Sequence, residues 1–129
     1  MKIEHIAFWV RDLETMRSFY EKYFNGRSGE LYENPAKNFR SYFLSFDGGS
    51  RIELMHRPDM TNRSQVFDDQ RIGMVHLAFS VGTRKAVDEL TDRLRADGYT
   101  IAGEARTTGD GYYESVILDP ENNIIEIAE

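Results

Sequence analysis

Two hexapeptides, "HIAFWV" beginning at His5 and "HLAFSV" beginning at His76, constrain this chain more than any other feature. The chain has three histidines, and two of them open these nearly identical apolar runs. Each run is rich in β-branched and aromatic residues and bounded by polar ones, which is the signature of a strand. The segments downstream of the two runs are also alike. An amphipathic helical stretch comes next, then three strand-like runs, the last of which reads apolar-Glu-apolar: "IEL" around Glu53 and "IEI" around Glu126. The two His-to-Glu separations differ by only two residues. One supersecondary pattern, β-α-β-β-β, is therefore used twice.

In the first half a strand is expected over residues 2–10. Asp12 then serves as N-cap of "LETMRSFYEKYF", whose Leu13, Met16, Phe19, Tyr20, Tyr23 and Phe24 share one helix face. Gly26 stands just past the end, where a left-handed residue commonly closes a helix. "GELYE", "SYFLSF" and "RIELM" read as strands, with "DGG" as a hairpin turn between the last two. In the second half "MVHLAFSV" is a strand, and Thr83 caps "RKAVDELTDRLRAD", with Val87, Leu90 and Leu94 as its stripe. Gly98 ends that helix. "TIAGEA", "YYESVIL" and "NIIEIA" come after it as strands, with "DPENN" as the turn before the last. The expected organisation is a single domain over 1–129: module one at 1–57, a polar linker at 58–73 and module two at 74–129. The expected fold class is α+β, two βαβββ modules in one chain.

Composition narrows the chemistry. A chain of 129 residues that is 40% hydrophobic and 29% charged holds one domain with a real core. The absence of cysteine removes disulfides, thiolate metal sites and cysteine nucleophiles together, so any metal is held by His, Asp or Glu. A net charge of −6 argues against nucleic acid as a partner. No apolar run reaches membrane-spanning length and no signal segment precedes the first strand, so no membrane partner is expected and the expected location is the cytoplasm.

Side chains alternate faces along a strand, so His5, Glu53, His76 and Glu126 each point away from their immediate neighbours, among them Glu4 and Ile6 around His5. The positions two away, on the same face, are Ile3 and Ala7, Arg51 and Met55, Met74 and Ala78, and Ile124 and Ala128. That face is largely apolar, so a carboxylate there is sheltered and needs a partner. Singly, each of the four reads as a hydrogen-bonded histidine or a solvated glutamate. As two His-then-Glu pairs at matching places in a repeat, they read as metal ligands. Two imidazoles and two carboxylates suit one divalent first-row metal, Ni, Zn, Co, Mn or Fe. His56 has no counterpart in the second half, where Glu129 stands, and reads as a structural histidine. By parity, Phe8 and Phe79 face the helices, while Trp9 and Phe43 are candidates to line a pocket.

From "HIAFWVRDLETMRSFY" to "DPENNIIEI", the whole chain resembles the vicinal-oxygen-chelate superfamily, the glyoxalase/bleomycin-resistance/extradiol-dioxygenase group. The resemblance implies paired βαβββ modules whose curved mixed sheets surround one metal, in a homodimer, with the metal presenting two adjacent oxygens of a small-molecule substrate to a nearby base. His5, Glu53, His76 and Glu126 fall at the family's four ligand positions. Bacterial glyoxalase I enzymes carry His, Glu, His, Glu, as here. Epimerases of the methylmalonyl-CoA type usually have Gln at the second position, and extradiol dioxygenases and fosfomycin-modifying transferases use His, His, Glu. Bleomycin-binding members lack the ligands.

The resemblance thus implies a glyoxalase I-like lyase or isomerase acting on a 2-oxoaldehyde thiol adduct by proton transfer through a metal-stabilised enediolate. Glu126 and Glu53 are the candidate catalytic carboxylates, with Glu126 favoured as the base. The alternatives are another metalloenzyme of the superfamily, an epimerase or extradiol-type dioxygenase, or a small-molecule binding and resistance protein. The chain departs from glutathione-dependent members at two places: Trp9 stands where they commonly carry Arg, and Arg57 where Asn is common. In "RTTGDGYYES", Arg106, Tyr112 and Tyr113 read as substrate contacts on a flexible loop or, equally, as a hairpin with aromatic cross-strand packing. With Trp9 and Arg57 they complete the expected substrate-binding set.

Overall fold

The apolar stripe expected on the first helix is the one the chain buries. In the computed structural model, which describes residues 1–60 and 72–129, helix α1 (Leu13–Phe24) buries Leu13, Met16, Phe19, Tyr20, Tyr23 and Phe24. Asp12 caps it: one carboxylate oxygen accepts from the Thr15 backbone N–H at 2.9 Å, the other from the Thr15 hydroxyl at 2.8 Å. These bonds favour the ionised form and hold the Asp12 carboxyl below its ordinary pKa. The helix end differs from expectation. Asn25, not Gly26, is the left-handed residue, with φ of 53°; asparagine is among the few side chains that accept that region. Gly26 is required for room instead. A Cβ there would lie 3.1 Å from both the Tyr20 carbonyl oxygen and Leu44 Cδ2, and 3.3 Å from Phe46 Cε1.

Contacts divide the chain into two compact units, Met1–Arg63 and Ser64–Glu129. Residues 61–71, most of the expected linker, lie outside the described residues. In the first unit the strands are β1 (His5–Trp9), β2 (Arg27–Ser28), β3 (Tyr32–Asn34), β4 (Phe39–Ser45) and β5 (Arg51–His56). The sheet order is β1-β5-β4-β2, with β3 also on β4. Strand β1 runs parallel to β5 and the remaining pairs are antiparallel.

The strand expected at "GELYE" is interrupted. Ser28 lies opposite Leu44 and Tyr32 opposite Ser41, so the register slips by one residue across 29–31, as a bulge requires. A single 3-10 turn over Pro35–Lys37, closed by left-handed Asn38, then leads into β4. The first strand is also shorter than expected, although bonds from Arg51 N–H to the Glu4 carbonyl and from Val10 N–H to the Met55 carbonyl continue its pairing at both ends.

The second unit repeats the first. Its elements are β6 (His76–Ser80), α2 (Arg84–Ala96), β7 (Ile101–Thr107), β8 (Tyr113–Leu118) and β9 (Ile124–Ala128), in the order β6-β9-β8-β7 with β6 parallel to β9. Thr83 caps α2 by accepting from the Ala86 N–H at 3.1 Å. Gly98 ends it at φ of 87°, as the sequence suggests. The stripe is shifted, however. Thr91 is buried with Val87 and Leu94, and Leu90 is only half-buried. The Thr91 hydroxyl donates to the Val87 carbonyl at 2.6 Å and lies 2.6 Å from the buried Ser115 hydroxyl, so a polar pair sits satisfied inside the core. The "DPENN" turn is held by Asp119. Its Oδ1 accepts from the backbone N–H groups of Glu121 and Asn123, and its Oδ2 from the Asn123 side-chain amide.

Each sheet buries one face against its helix. Val10, Leu44, Ile52 and Leu54 do so on α1, and Ile117, Ile125 and Ile127 on α2, none of them more than 3% exposed. The fold is therefore α+β, with the two four- and five-stranded mixed sheets and two helices of a βαβββ repeat. No helix among the described residues is long and apolar enough to cross a membrane.

The division of labour between Asn25 and Gly26 is testable by denaturant unfolding. Gly26→Ala, which presses a methyl against backbone, is expected to cost about 1–3 kcal/mol. Asn25→Gly, which leaves the left-handed position equally accessible, is expected to stay within about 1 kcal/mol of the parent. Equal costs at the two positions would contradict the assignment.

Candidate functional site

The parallel pairing of the first and last strand in each unit brings a histidine beside a glutamate. Along β1 and β5, His5 lies opposite Arg51 and Ala7 opposite Glu53. Along β6 and β9, His76 lies opposite Ile124 and Ala78 opposite Glu126. The offset is identical, and the two-residue difference in spacing along the chain is absorbed in the connections. His5 Nε2 is 3.8 Å from Glu53 Oε2, and His76 Nε2 is 3.1 Å from Glu126 Oε2. Both pairs project from the face opposite the helix. The carboxylates are the more sheltered members: their side chains are 15% and 20% exposed, against 38% and 40% for the imidazoles.

The surroundings of the two pairs differ. His5 Nδ1 is hydrogen-bonded to the Glu4 carboxylate, which is also ion-paired to Arg51. The Arg51 guanidinium lies over the Phe43 ring at 4.3 Å, and the His5 ring meets Phe43 edge-on with centroids 5.3 Å apart. In the second unit Glu126 is pushed above the ordinary carboxylate pKa, first by burial. His76 opposes that shift, Glu114 and Asp110 add to it, and Arg106 opposes it.

Two neutral imidazole nitrogens and two carboxylates suit a divalent first-row metal. Ligands about 2.0–2.2 Å from a common cation lie roughly 3 Å or slightly more from each other; the His76–Glu126 separation of 3.1 Å is in that range, and the His5–Glu53 separation of 3.8 Å is wider. Among the described residues no three or more potential ligands are gathered. Each unit carries one His–Glu pair.

The expected substrate contacts are distributed unevenly. Trp9 is on the His5 face, 46% exposed and edge-on to Phe39 at 6.0 Å. Arg57, just past β5, is held by Asp59 through two bonds of 2.9 and 2.7 Å. Arg106 lies opposite Glu114 in the β7–β8 ladder and acts electrostatically on Glu126. Tyr112 is 60% exposed at a turn whose Thr108 N–H donates to the Tyr112 carbonyl at 2.8 Å. Tyr113 is turned the other way. Its hydroxyl donates to Asp88 on α2 at 2.7 Å, and Arg84 lies 5.1 Å above its ring, so it is not brought together with the His76–Glu126 pair. Its parity with the buried Ser115 and Ile117 was the available signal. His56 is the structural histidine anticipated, with Nδ1 3.0 Å from the Val10 carbonyl oxygen.

Glu4 and Arg51 were missed as supporting residues. Arg51 shares the parity of Glu53 and was within reach of a sequence argument. Glu4 was not, because strict alternation turns it away from His5, whereas here it precedes β1 and its carboxylate reaches the ring.

Residues 2–127 match the family model of the Glyoxalase/Bleomycin resistance protein/Dioxygenase superfamily. The chain belongs to this superfamily. A relative in Bacillus subtilis, the uncharacterized protein YqjT, is 28% identical and covers 97% of this chain and 96% of its own. Among solved structures, the fold is shared with the trypanothione-dependent glyoxalase I of Leishmania major. That match has a TM-score of 0.78 at 20% identity and covers 100% of this chain and 86% of that one. A mutant glyoxalase I of Zea mays matches with a TM-score of 0.76 at 20% identity; it covers 98% of this chain, which spans 44% of the maize protein. At these identities the structural likeness within the superfamily speaks for the fold alone.

Proposed function

We propose that the protein is a metal-dependent lyase or isomerase of glyoxalase I type, acting in the cytoplasm on a vicinal-oxygen substrate such as a 2-oxoaldehyde thiol adduct. One observation carries the reading: two His–Glu pairs stand in the same register on the helix-free faces of a repeated module. In this proposal His5, Glu53, His76 and Glu126 hold one divalent cation, Ni, Zn, Co, Mn or Fe. When bound, the cation supplies Lewis-acid stabilisation of charge developing on two neighbouring substrate oxygens. Glu126 takes the proton from the carbinol carbon and returns it to the adjacent carbonyl carbon, so the reaction is a balanced isomerisation. Glu53 is the second candidate base.

Trp9, Arg106 and Tyr112 are the proposed substrate contacts. Arg57 and Tyr113 can join them only by releasing Asp59 and Asp88.

Metal analysis of protein purified without added metal is expected to find about one divalent ion per chain. His76→Ala should remove it while the protein stays folded by circular dichroism. Full metal content in both His5→Ala and His76→Ala would overturn the ligand assignment.

For catalysis, the assay offers methylglyoxal with several thiols, because Trp9 and Arg57 replace the residues usual in glutathione-dependent members. Glu126→Gln is expected to retain much of its metal and lose about 10²-fold or more in turnover, the scale of a lost general base. If the parent turns over no thiol adduct at full metal occupancy, the glyoxalase reading fails and epimerase and ring-cleavage assays take its place.

The proposal includes a C2 homodimer. Light scattering should give about twice the 15.0 kDa chain mass; a monomer at all usable concentrations would contradict it.

A further inference from the structure

The two His–Glu pairs share a backbone register but not a setting. Beside His5 stand Glu4, Arg51 and Phe43: the first bonds to Nδ1, the second pairs with the first, and the third packs against both the imidazole and the guanidinium. The corresponding places around His76 are held by Val75, Ile124 and Val116, opposite or next to the same backbone positions. None of those side chains can take a hydrogen bond from Nδ1.

A neutral imidazole bonded to a carboxylate through Nδ1 carries its proton there and presents the Nε2 lone pair. In His5 that nitrogen is the one facing Glu53, at 3.8 Å. Arg51 restrains the Glu4 carboxylate, and Phe43 restrains Arg51 through the face of its ring.

We propose that Glu4, braced by Arg51 and Phe43, is a positioning residue that holds His5 in the Nδ1–H tautomer with Nε2 presented to Glu53. The first pair is thereby preorganised, whereas among the described residues His76 has no such brace. The consequence for metal affinity rests on the ligand set proposed above; the tautomer does not. An outer carboxylate of this kind generally raises the affinity of its histidine for metal by about 10–100-fold.

The test separates the two layers. In metal-free, 15N-labelled protein at about pH 8.5, two units above the ordinary histidine pKa, long-range 1H–15N spectra report the tautomer of each ring. Assignments come from single histidine variants. His56, bonded through Nδ1 to the Val10 carbonyl, serves as an internal Nδ1–H reference.

In the parent, His5 should match His56. Glu4→Ala should move His5 toward the Nε2–H form that unrestrained histidines favour, while His76 stays unchanged. Glu4→Gln, which keeps an acceptor oxygen, should preserve the Nδ1–H form. An Nε2–H His5 in the parent, or an unmoved His5 in Glu4→Ala, would overturn the proposal. Metal titration should show about 10–100-fold weaker binding in Glu4→Ala and less than about 3-fold change in Val75→Ala. Equal effects at the two positions would likewise overturn it. A parent that binds no metal would defeat the ligand set while leaving the spectra to decide the role of Glu4.

Discussion

The parallel contact between the first and last strand of each module is the constraint on which the rest depends. Two strands that are far apart in sequence and run the same way must be joined by a long crossover, and here a helix and an antiparallel run of strands fill it. Their register is set by hydrophobic burial rather than by the polar residues. Val10, Ile52 and Leu54 in one sheet and Ile125 and Ile127 in the other are almost wholly removed from water. A slip of one residue would turn all of them outward. The same slip would bury His5 or His76 under a helix with no partner in view. Core burial thus places imidazole and carboxylate side by side as a by-product of alternation, twice, without either pair contributing to the choice.

That mechanism also explains what was legible in the sequence. Strand alternation, the α1 stripe, both N-caps and the closing turn could be read because each depends on local spacing or on one side chain bonding its own backbone. The bulge across 29–31 could not. It lies in an edge strand where no buried face enforces a register, so alternation carries no signal. Thr91 escaped because a threonine on a buried helix face becomes favourable only through Ser115, on a strand 24 residues away. Asn25 and Gly26 are adjacent residues that both suit a left-handed position, and the close approach of the Tyr20 carbonyl, Leu44 and Phe46 to Gly26 distinguishes them. The four pair-forming residues were readable because they recur; Glu4 does not recur, and a repeat argument passes over it.

The repeat also conceals a difference in polarity between its halves. Around His5 there are two formal charges, Glu4 and Arg51, which offset one another and hold an aromatic ring between guanidinium and imidazole. Around His76 the equivalent backbone places carry aliphatic side chains, and the charges that act on Glu126 arrive from β7, β8 and the turn between them. A fold that duplicates backbone geometry leaves side chains at duplicated positions free to diverge, since each sheet's core faces its own helix. Rigidity in one pair and electrostatic tuning in the other are therefore compatible with a single architecture.

The charge of the donor set bears on why glutamate stands at both carboxylate positions. Two glutamates bring two negative charges, and burial disfavours the charged form of a carboxylate, the direction in which Glu126 is pushed. A divalent cation balances those two charges, so the proposed complex is neutral before substrate arrives. Neutrality matters for the chemistry. Charge that develops on two substrate oxygens would be repelled by an anionic complex, whereas a neutral one leaves the cation's attraction available to it. In the proposed site, two carboxylates with two imidazoles would leave one carboxylate to serve also as base.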